Sequence, residues 1–254
     1  MLDSLTMPRY AVIIAGGEGT RLRPLTYEVP KPLMPVKGKP IVEHILDALV
    51  HYGAKDVVLA IGYKADMIMD YFKDGSKFGI NIMYSVESKT LGTGGAAKKA
   101  IEEHFKNGVN YESGIGENDV LIVNGDNLYD INLNEMYKMH KSENAIVTIL
   151  AKEVEDITGY GVLTMDGNVV RKFVEKPNPA NAESHIINAG IYILSAMAIE
   201  MMPDKEKFSM ERDFFEDIVG REKICAYVSK GQWFPADTME RYEKAILGWK
   251  PPKY

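Results

Sequence analysis

Apolar and polar positions along this chain fall into two rhythms, and the rhythms alternate. Residues 9–15, RYAVIIA, form a continuous apolar run, the pattern of a strand buried on both faces. Residues 41–52, IVEHILDALVHY, repeat with helical period; Pro40 opens that segment and Gly53 closes it, the usual asymmetry of helix ends. The alternation continues with strands over 55–61, 80–86, 119–126 and 145–151. Between them the pattern predicts helices over 64–74, 96–105 (led in by Gly94 and Gly95) and 133–142. Strands alternating with helices imply an α/β protein with a mostly parallel sheet covered on both faces. The second half differs. Residues 160–165, 169–176 and 185–194 are strand-like with short turns, including Asp-Gly-Asn at 166–168, and predict a small antiparallel excursion. Helical spacing returns over 196–202, 210–219 and 239–248. The segment 107–118 reads as a loop insert. No internal repeat or linker is evident, so a single domain over 1–254 is expected, with an appended smaller lobe.

Composition narrows the function classes. The chain has 254 residues, 46% hydrophobic and 26% charged, with net charge −6, which speaks against a nucleic-acid partner. Any polyanion must be held by a local basic pocket, and Arg21, Arg23, Lys31, Lys37 and Lys39 offer one. Cys225 is the single cysteine, which rules out an intrachain disulfide and fits a reducing, cytoplasmic location. It reads as a buried strand residue. The five histidines show no zinc spacing. No apolar run approaches the roughly 18 residues needed to span a bilayer, so no membrane partner is expected. The N-terminus lacks the features of a signal peptide.

Residues 15–36, AGGEGTRLRPLTYEVPKPLMPV, carry the most chemistry. Gly16, Gly17 and Gly19 follow the first strand, where open α/β sheets place ligands. Glycines there let backbone N–H groups approach phosphate oxygens. The dinucleotide pattern fails because the sixth position from Gly17 is Leu22, and the only Gly-Lys pair, at 38–39, fits no Walker pattern. Pro24 and Pro30 are expected to keep residues 24–40 extended. Arg21 supplies a fork that grips phosphate in two places, and Lys31, between Pro30 and Pro32, rides a stiff strap. Taken alone, the three glycines are as compatible with an ordinary turn before a solvated basic loop.

The full string, GGEGTRLRPLTYEVPKPLMPV, resembles the signature of the sugar-1-phosphate nucleotidyltransferases. The resemblance continues in order through KPIVEHIL, LGTGGA (91–96), VNGD (123–126), FVEKP (173–177), INAGIYIL (187–194) and Asp237-Thr238. It implies a Rossmann-like three-layer α/β/α fold, a nucleotide-binding half over about 9–150 and a sugar-phosphate-binding half over about 151–254. It also implies transfer of a nucleotidyl group from an NTP to a hexose 1-phosphate. No hexapeptide repeat is present, so no C-terminal β-helix is expected.

That chemistry joins two anions, so positioning and charge neutralisation must supply most of the acceleration. The resemblance implies that Ala15, Gly16, Gly17, Gly19, Thr20 and Arg21 hold the nucleotide phosphates and that Lys31 reaches the reacting phosphate. Asp126 ends an apolar strand. By itself it reads equally as a turn former or a helix cap; within the family pattern it is a Mg²⁺ ligand, with Asp237 as the second. The family's Asp-x-Gly-Thr is absent here; Asp237-Thr238-Met239-Glu240 is closer to a cytidylyltransferase ending. Lys176 is the implied clamp of the sugar phosphate and Glu175 an acceptor for sugar hydroxyls. Both can serve one site only if the strand bends there. Gly161 and Asn188 look like further sugar-side contacts, and Glu87, Gly92 and Thr93 fall in the base-binding segment.

The segment VESKTLGTG lacks the glutamine motif of the thymidylyl branch and is closer to mannose-1-phosphate guanylyltransferases; uridylyl, thymidylyl and cytidylyl transfer stay open. A silent nucleotide-sugar-binding regulator is a further alternative, which the retained charges of Arg21, Lys31, Asp126, Lys176 and Asp237 oppose. Ser209 reads as the cap of a helix whose Glu211, Arg212 and Asp213 read as a solvated face, with the lining of a cleft as the alternative. Trp233 and Trp249 read as packing at the C-terminal edge or in a homo-oligomer contact.

Overall fold

The computed structural model describes residues 7–105 and 119–254; the loop expected at 107–118 lies outside the described residues. β1 (Tyr10–Ala15) explains the first apolar run. Ala11, Ile13 and Ala15 enter a core on one face of the sheet, and Val12 enters a second core on the other. β4 (Asp56–Ile61) and β6 (Val120–Asn124) divide in the same way, Val57 and Leu121 to one face, Val58 and Ile122 to the other. The first core is completed by α1 (Ile41–Tyr52), α2 (Ala65–Phe72) and α4 (Leu133–Ser142), through Leu46, Phe72 and Met136. The second is completed by α3 (Gly92–His104), through Ala97 and Ile101, and by segments after residue 195.

The main sheet has nine strands in the order β5 (Asn81–Val86), β4, β1, β6, β11 (Ile186–Leu194), β8 (Val147–Glu153), β12 (Ile224–Val228), β10 (Val169–Glu175) and β9 (Gly161–Asp166). β5, β4, β1 and β6 are parallel, as helix-separated strands require. β11 runs antiparallel to both β6 and β8, and β10 antiparallel to β9 and β12. The sheet is therefore mixed: β5, β4, β1 and β6 form one parallel block, β12 runs parallel to β8, and the mostly parallel expectation fails for the other pairings of the second half. The cause is local: no helix separates β8, β9, β10 and β11, so these strands return by short connections.

Two sequence expectations are corrected. Residues 24–40 are not extended throughout; 3₁₀ turns form at Leu25–Tyr27 and Lys31–Leu33, and β2 (Pro35–Val36) pairs with β3 (Lys39–Pro40). Proline's fixed φ suits the start of such a turn as well as an extended segment. α3 begins at Gly92, four residues before the expected start. A small ladder of β7 (Asn127–Tyr129) and β13 (Trp233–Pro235), together with β12, was too short for the pattern to reveal. The remaining helices are α5 (Ala196–Glu200), α6 (Glu216–Ile218) and α7 (Met239–Gly248). Trp249 is buried with Leu22, Met34 and Tyr242, so its role is internal packing between the N-terminal loop and α7. Among the described residues no helix is long and apolar enough to cross a membrane.

Candidate active site

A cavity of about 400 Å³ opens at the carboxyl ends of β1 and β6. The loop after β1 lines it with Ala15, Gly16, Gly17, Gly19, Thr20 and Arg21, and Lys31 follows from the next turn but one. Glu87, Gly92 and Thr93 form the wall between β5 and α3, and Asp126 and Asp237 complete the lining. The expected nucleotide and metal residues thus share one cavity. Gly161, Glu175, Lys176 and Asn188 are not part of its lining.

The two acids are brought together by the β7–β13 ladder. Asn127 pairs with Pro235, and the Ala236 N–H donates to the Asp126 carbonyl at 2.9 Å. Asp126 sits in the turn after β6, anchored to β1 by the Gly125 N–H on the Ile14 carbonyl at 2.9 Å. Its side chain accepts from Lys31 Nζ and from Asn127 Nδ2, both at 2.9 Å. Lys31 is the more enclosed partner, 11% exposed against 37% for Asp126. Asp237 meets Arg21 at 2.9 Å and Arg241 at 3.0 and 3.2 Å. Burial works to raise the Asp237 carboxyl, but the hydrogen bonds and charge of Arg241, aided by Arg21 and Lys31, hold it below the ordinary carboxylate range.

The helix end that borders the cavity has two of its first-turn donors occupied. The Gly94 and Gly95 N–H groups at the start of α3 both donate to the Phe208 carbonyl, at 3.1 and 3.2 Å. The β1 loop lines the same cavity. There Gly16 lets Glu87 close on the loop, since a Cβ would lie 2.6 Å from Glu87 Oε1 and would push that carboxylate aside. Glu87 also accepts from the Leu91 N–H at 3.0 Å. Burial raises its carboxyl, against the pull of that N–H and of Lys99.

Of the residues expected on the sugar side, Gly161, Glu175 and Lys176 form a second group. The strand break expected near Pro177 occurs at Lys176, which takes a left-handed conformation (φ 53°) while its N–H donates to the Tyr160 carbonyl at 3.1 Å. The turn lets consecutive side chains share a side, and Lys176 Nζ lies 3.3 Å from Glu175 Oε1. Glu175 leans over Gly161, whose absent Cβ would lie 2.8 Å from Glu175 Oε2. Burial and the charge of Glu211 raise the Glu175 carboxyl; Lys176 opposes them. Asn188 donates from Nδ2 to the Tyr192 hydroxyl at 2.9 Å, and its Oδ1 accepts from the Gly190 N–H at 2.9 Å.

Three residues escaped the sequence reading. Arg241 caps Asp237 and reaches toward the sugar side, with Nη2 on the Thr158 carbonyl at 3.3 Å and its guanidinium 4.4 Å from the centre of the Tyr160 ring. Its spacing of four from Asp237 at a helix start is the signal that pointed to it. Asn124 lines the cavity, and its buried Oδ1 has no partner among the described residues. Glu211, expected on a solvated face, is 8% exposed.

The chain belongs to the nucleotidyl transferase family, whose profile matches residues 10–247. Its relatives are sugar-1-phosphate nucleotidyltransferases. It is 36% identical over 237 residues to D-glycero-α-D-manno-heptose 1-phosphate guanylyltransferase of Aneurinibacillus thermoaerophilus, covering 92% of this chain and 96% of that protein. It is 35% identical over 225 residues to the mannose-1-phosphate guanyltransferase of Yarrowia lipolytica, covering 87% of this chain but 59% of that longer protein. Among solved structures it is similar to HddC of Yersinia pseudotuberculosis, known alone and with GMP-PN, with a TM-score of 0.75, 30% identity and coverage of 95% of this chain and 100% of that one.

Proposed function

We propose that this protein transfers a guanylyl group from GTP to a manno-configured hexose or heptose 1-phosphate, releasing pyrophosphate, on a Rossmann-like three-layer scaffold in the cytoplasm. The observation that carries the proposal is the meeting of two chain-distant carboxylates, Asp126 and Asp237, with Arg21, Lys31 and a glycine loop in one cavity. The guanylyl names of the relatives support the base, and so does Glu87. An ionised carboxylate offers only acceptors, and the Watson–Crick edge of guanine offers two adjacent donors.

In the reaction a sugar 1-phosphate oxygen attacks the α-phosphorus, and the bond from that phosphorus to the bridging oxygen of pyrophosphate breaks. Arg21 and the N–H groups of the 16–20 loop grip the departing phosphates. Lys31, enclosed and aimed by its turn, neutralises the reacting phosphate. Lys176 holds the sugar phosphate while Glu175, Gly161 and Asn188 shape the sugar subsite. Asp126 and Asp237 present hard oxygen donors, the type magnesium takes when one or two carboxylates and substrate phosphates share it. Bound there, the ion supplies charge neutralisation at the α-phosphate. Arg21 pairs with Asp237 and Lys31 with Asp126, and phosphate oxygens are the natural alternative partners for both cations.

The test is pyrophosphate release with each of four NTPs against mannose, glucose and manno-heptose 1-phosphates, with and without Mg²⁺. GTP with a manno-configured acceptor should give the highest kcat/KM. Preference for UTP, dTTP or CTP with glucose 1-phosphate would replace the substrate assignment. Release of NDP, or no release with any pair, would overturn the transferase itself.

A further inference from the structure

Glu211 lies in Met210–Phe215, a π-helical segment capped by Ser209, whose hydroxyl accepts the Arg212 N–H at 3.2 Å. Wide turns of this kind are rare and recur at functional sites. Arg212 and Asp213 face outward as expected, but Glu211 turns inward and is met by hydroxyls. Thr93 Oγ1 and Ser209 Oγ each donate to Oε2 at 2.7 Å, and the Tyr192 hydroxyl donates to Oε1 at 3.0 Å.

A carboxylate only accepts, so the direction of every bond in this cluster is fixed. Tyr192, having given its proton to Glu211, accepts from Asn188 Nδ2 at 2.9 Å. Asn188 Oδ1 is then committed to the Gly190 N–H at 2.9 Å, and one amide proton of Asn188 is left over. At the other end, Thr93 accepts the Met210 N–H at 2.9 Å. Hydrogen bonds therefore converge on Glu211 from both sides, from Thr93 on the wall of the nucleotide cavity and from Asn188 through Tyr192. The backbone reinforces the nucleotide end: the Phe208 N–H donates to the Leu91 carbonyl at 3.0 Å, while its own carbonyl takes Gly94 and Gly95.

We propose that Glu211 is a positioning residue that couples the nucleotide subsite to the sugar-phosphate subsite, so that filling one favours filling the other. A nucleotide that orders Thr93 orders the carboxylate, and through Tyr192 it fixes the Asn188 amide with its spare proton as a donor for the sugar. The second ligand then meets a site already arranged, and the effect is reciprocal. This inference rests on the nucleotidyl transfer proposed above.

The experiment measures the Kd of mannose 1-phosphate by calorimetry with and without a saturating non-hydrolysable GTP analogue. Wild-type protein should show a ratio of about fivefold or more. Tyr192→Phe cuts the link to Asn188 but keeps the bonds of Glu211 to Thr93 and Ser209. It should bring the ratio close to one while the analogue alone binds within about twofold of wild type. Glu211→Gln should also collapse the ratio, and it serves if Tyr192→Phe does not fold. If the two separate affinities fall together and the ratio persists, these residues only prop the fold and the coupling is refuted. A wild-type ratio of one refutes it as well. Failure of wild type to bind either ligand refutes the transferase assignment first, and the coupling with it.

Discussion

Asp126 carries two burdens. It balances a nearly enclosed lysine, and it is one of two acids available to a cation. Asp126→Asn keeps the shape and the Asn127 contact but removes the charge, so turnover should fall by about 10²–10³ or more, with a melting temperature within a few degrees of wild type. Activity near normal would remove Asp126 from the mechanism. Lys176 makes a different prediction. Lys176→Ala should raise KM for the sugar 1-phosphate far more than KM for the NTP, and Gly161→Ala should do the same by displacing the Glu175 carboxylate, 2.8 Å from the new methyl, together with the Phe173 ring at 2.7 Å. Equal effects on both substrates would show that this group is not a sugar subsite. The glycine loop, Arg21 and Lys31 were legible because several uncommon demands sit within a few positions of sequence. Glu211 was not. Glu-Arg-Asp on a helical segment reads as a wet face, and only donors from remote segments, Thr93 and Tyr192, make its burial tolerable.

At the level of elements, caps and buried polar pairs fix how the helices dock. α4 is capped by Asn132, whose side chain accepts the Glu135 N–H, and it leans on β8 through His140, with Nδ1 2.8 Å from Thr148 Oγ1. His140 is fully buried, and that burial lowers its pKa to about 4 in spite of Asp119 nearby. The unfolded chain, with an ordinary histidine, takes up this proton first as pH falls. Stability from this group is therefore complete above about pH 6.5 and is lost toward pH 4, by about 3 kcal/mol in all. Denaturant titrations at several pH values should show this slope in wild type and a slope shallower by about one proton in His140→Asn. Identical slopes would mean that His140 is not buried neutral. The long strands and helices were legible because each is buried on a face with a regular period. β7, β12 and β13 were not, because three to five residues cannot display a period, and pairing across the chain alone defines them.

The molecule as a whole is woven. β11 comes from the second half of the chain yet lies between β6 and β8, and β12 lies between β8 and β10. Leu22, Met34 and Val36 from the N-terminal loop share a core with Tyr242, Ala245 and Trp249. The nucleotide and sugar halves are thus roles more than separable bodies. Calorimetry should give one cooperative transition with equal calorimetric and van't Hoff enthalpies. Two resolved transitions would show that the halves fold independently. The pairing of β13 with β7 has a temporal corollary during synthesis on the ribosome. The glycine loop emerges early and Asp237 very late, so a product cut short before β13 lacks the second acid of the cavity and the partners that close the core around Leu22 and Met34.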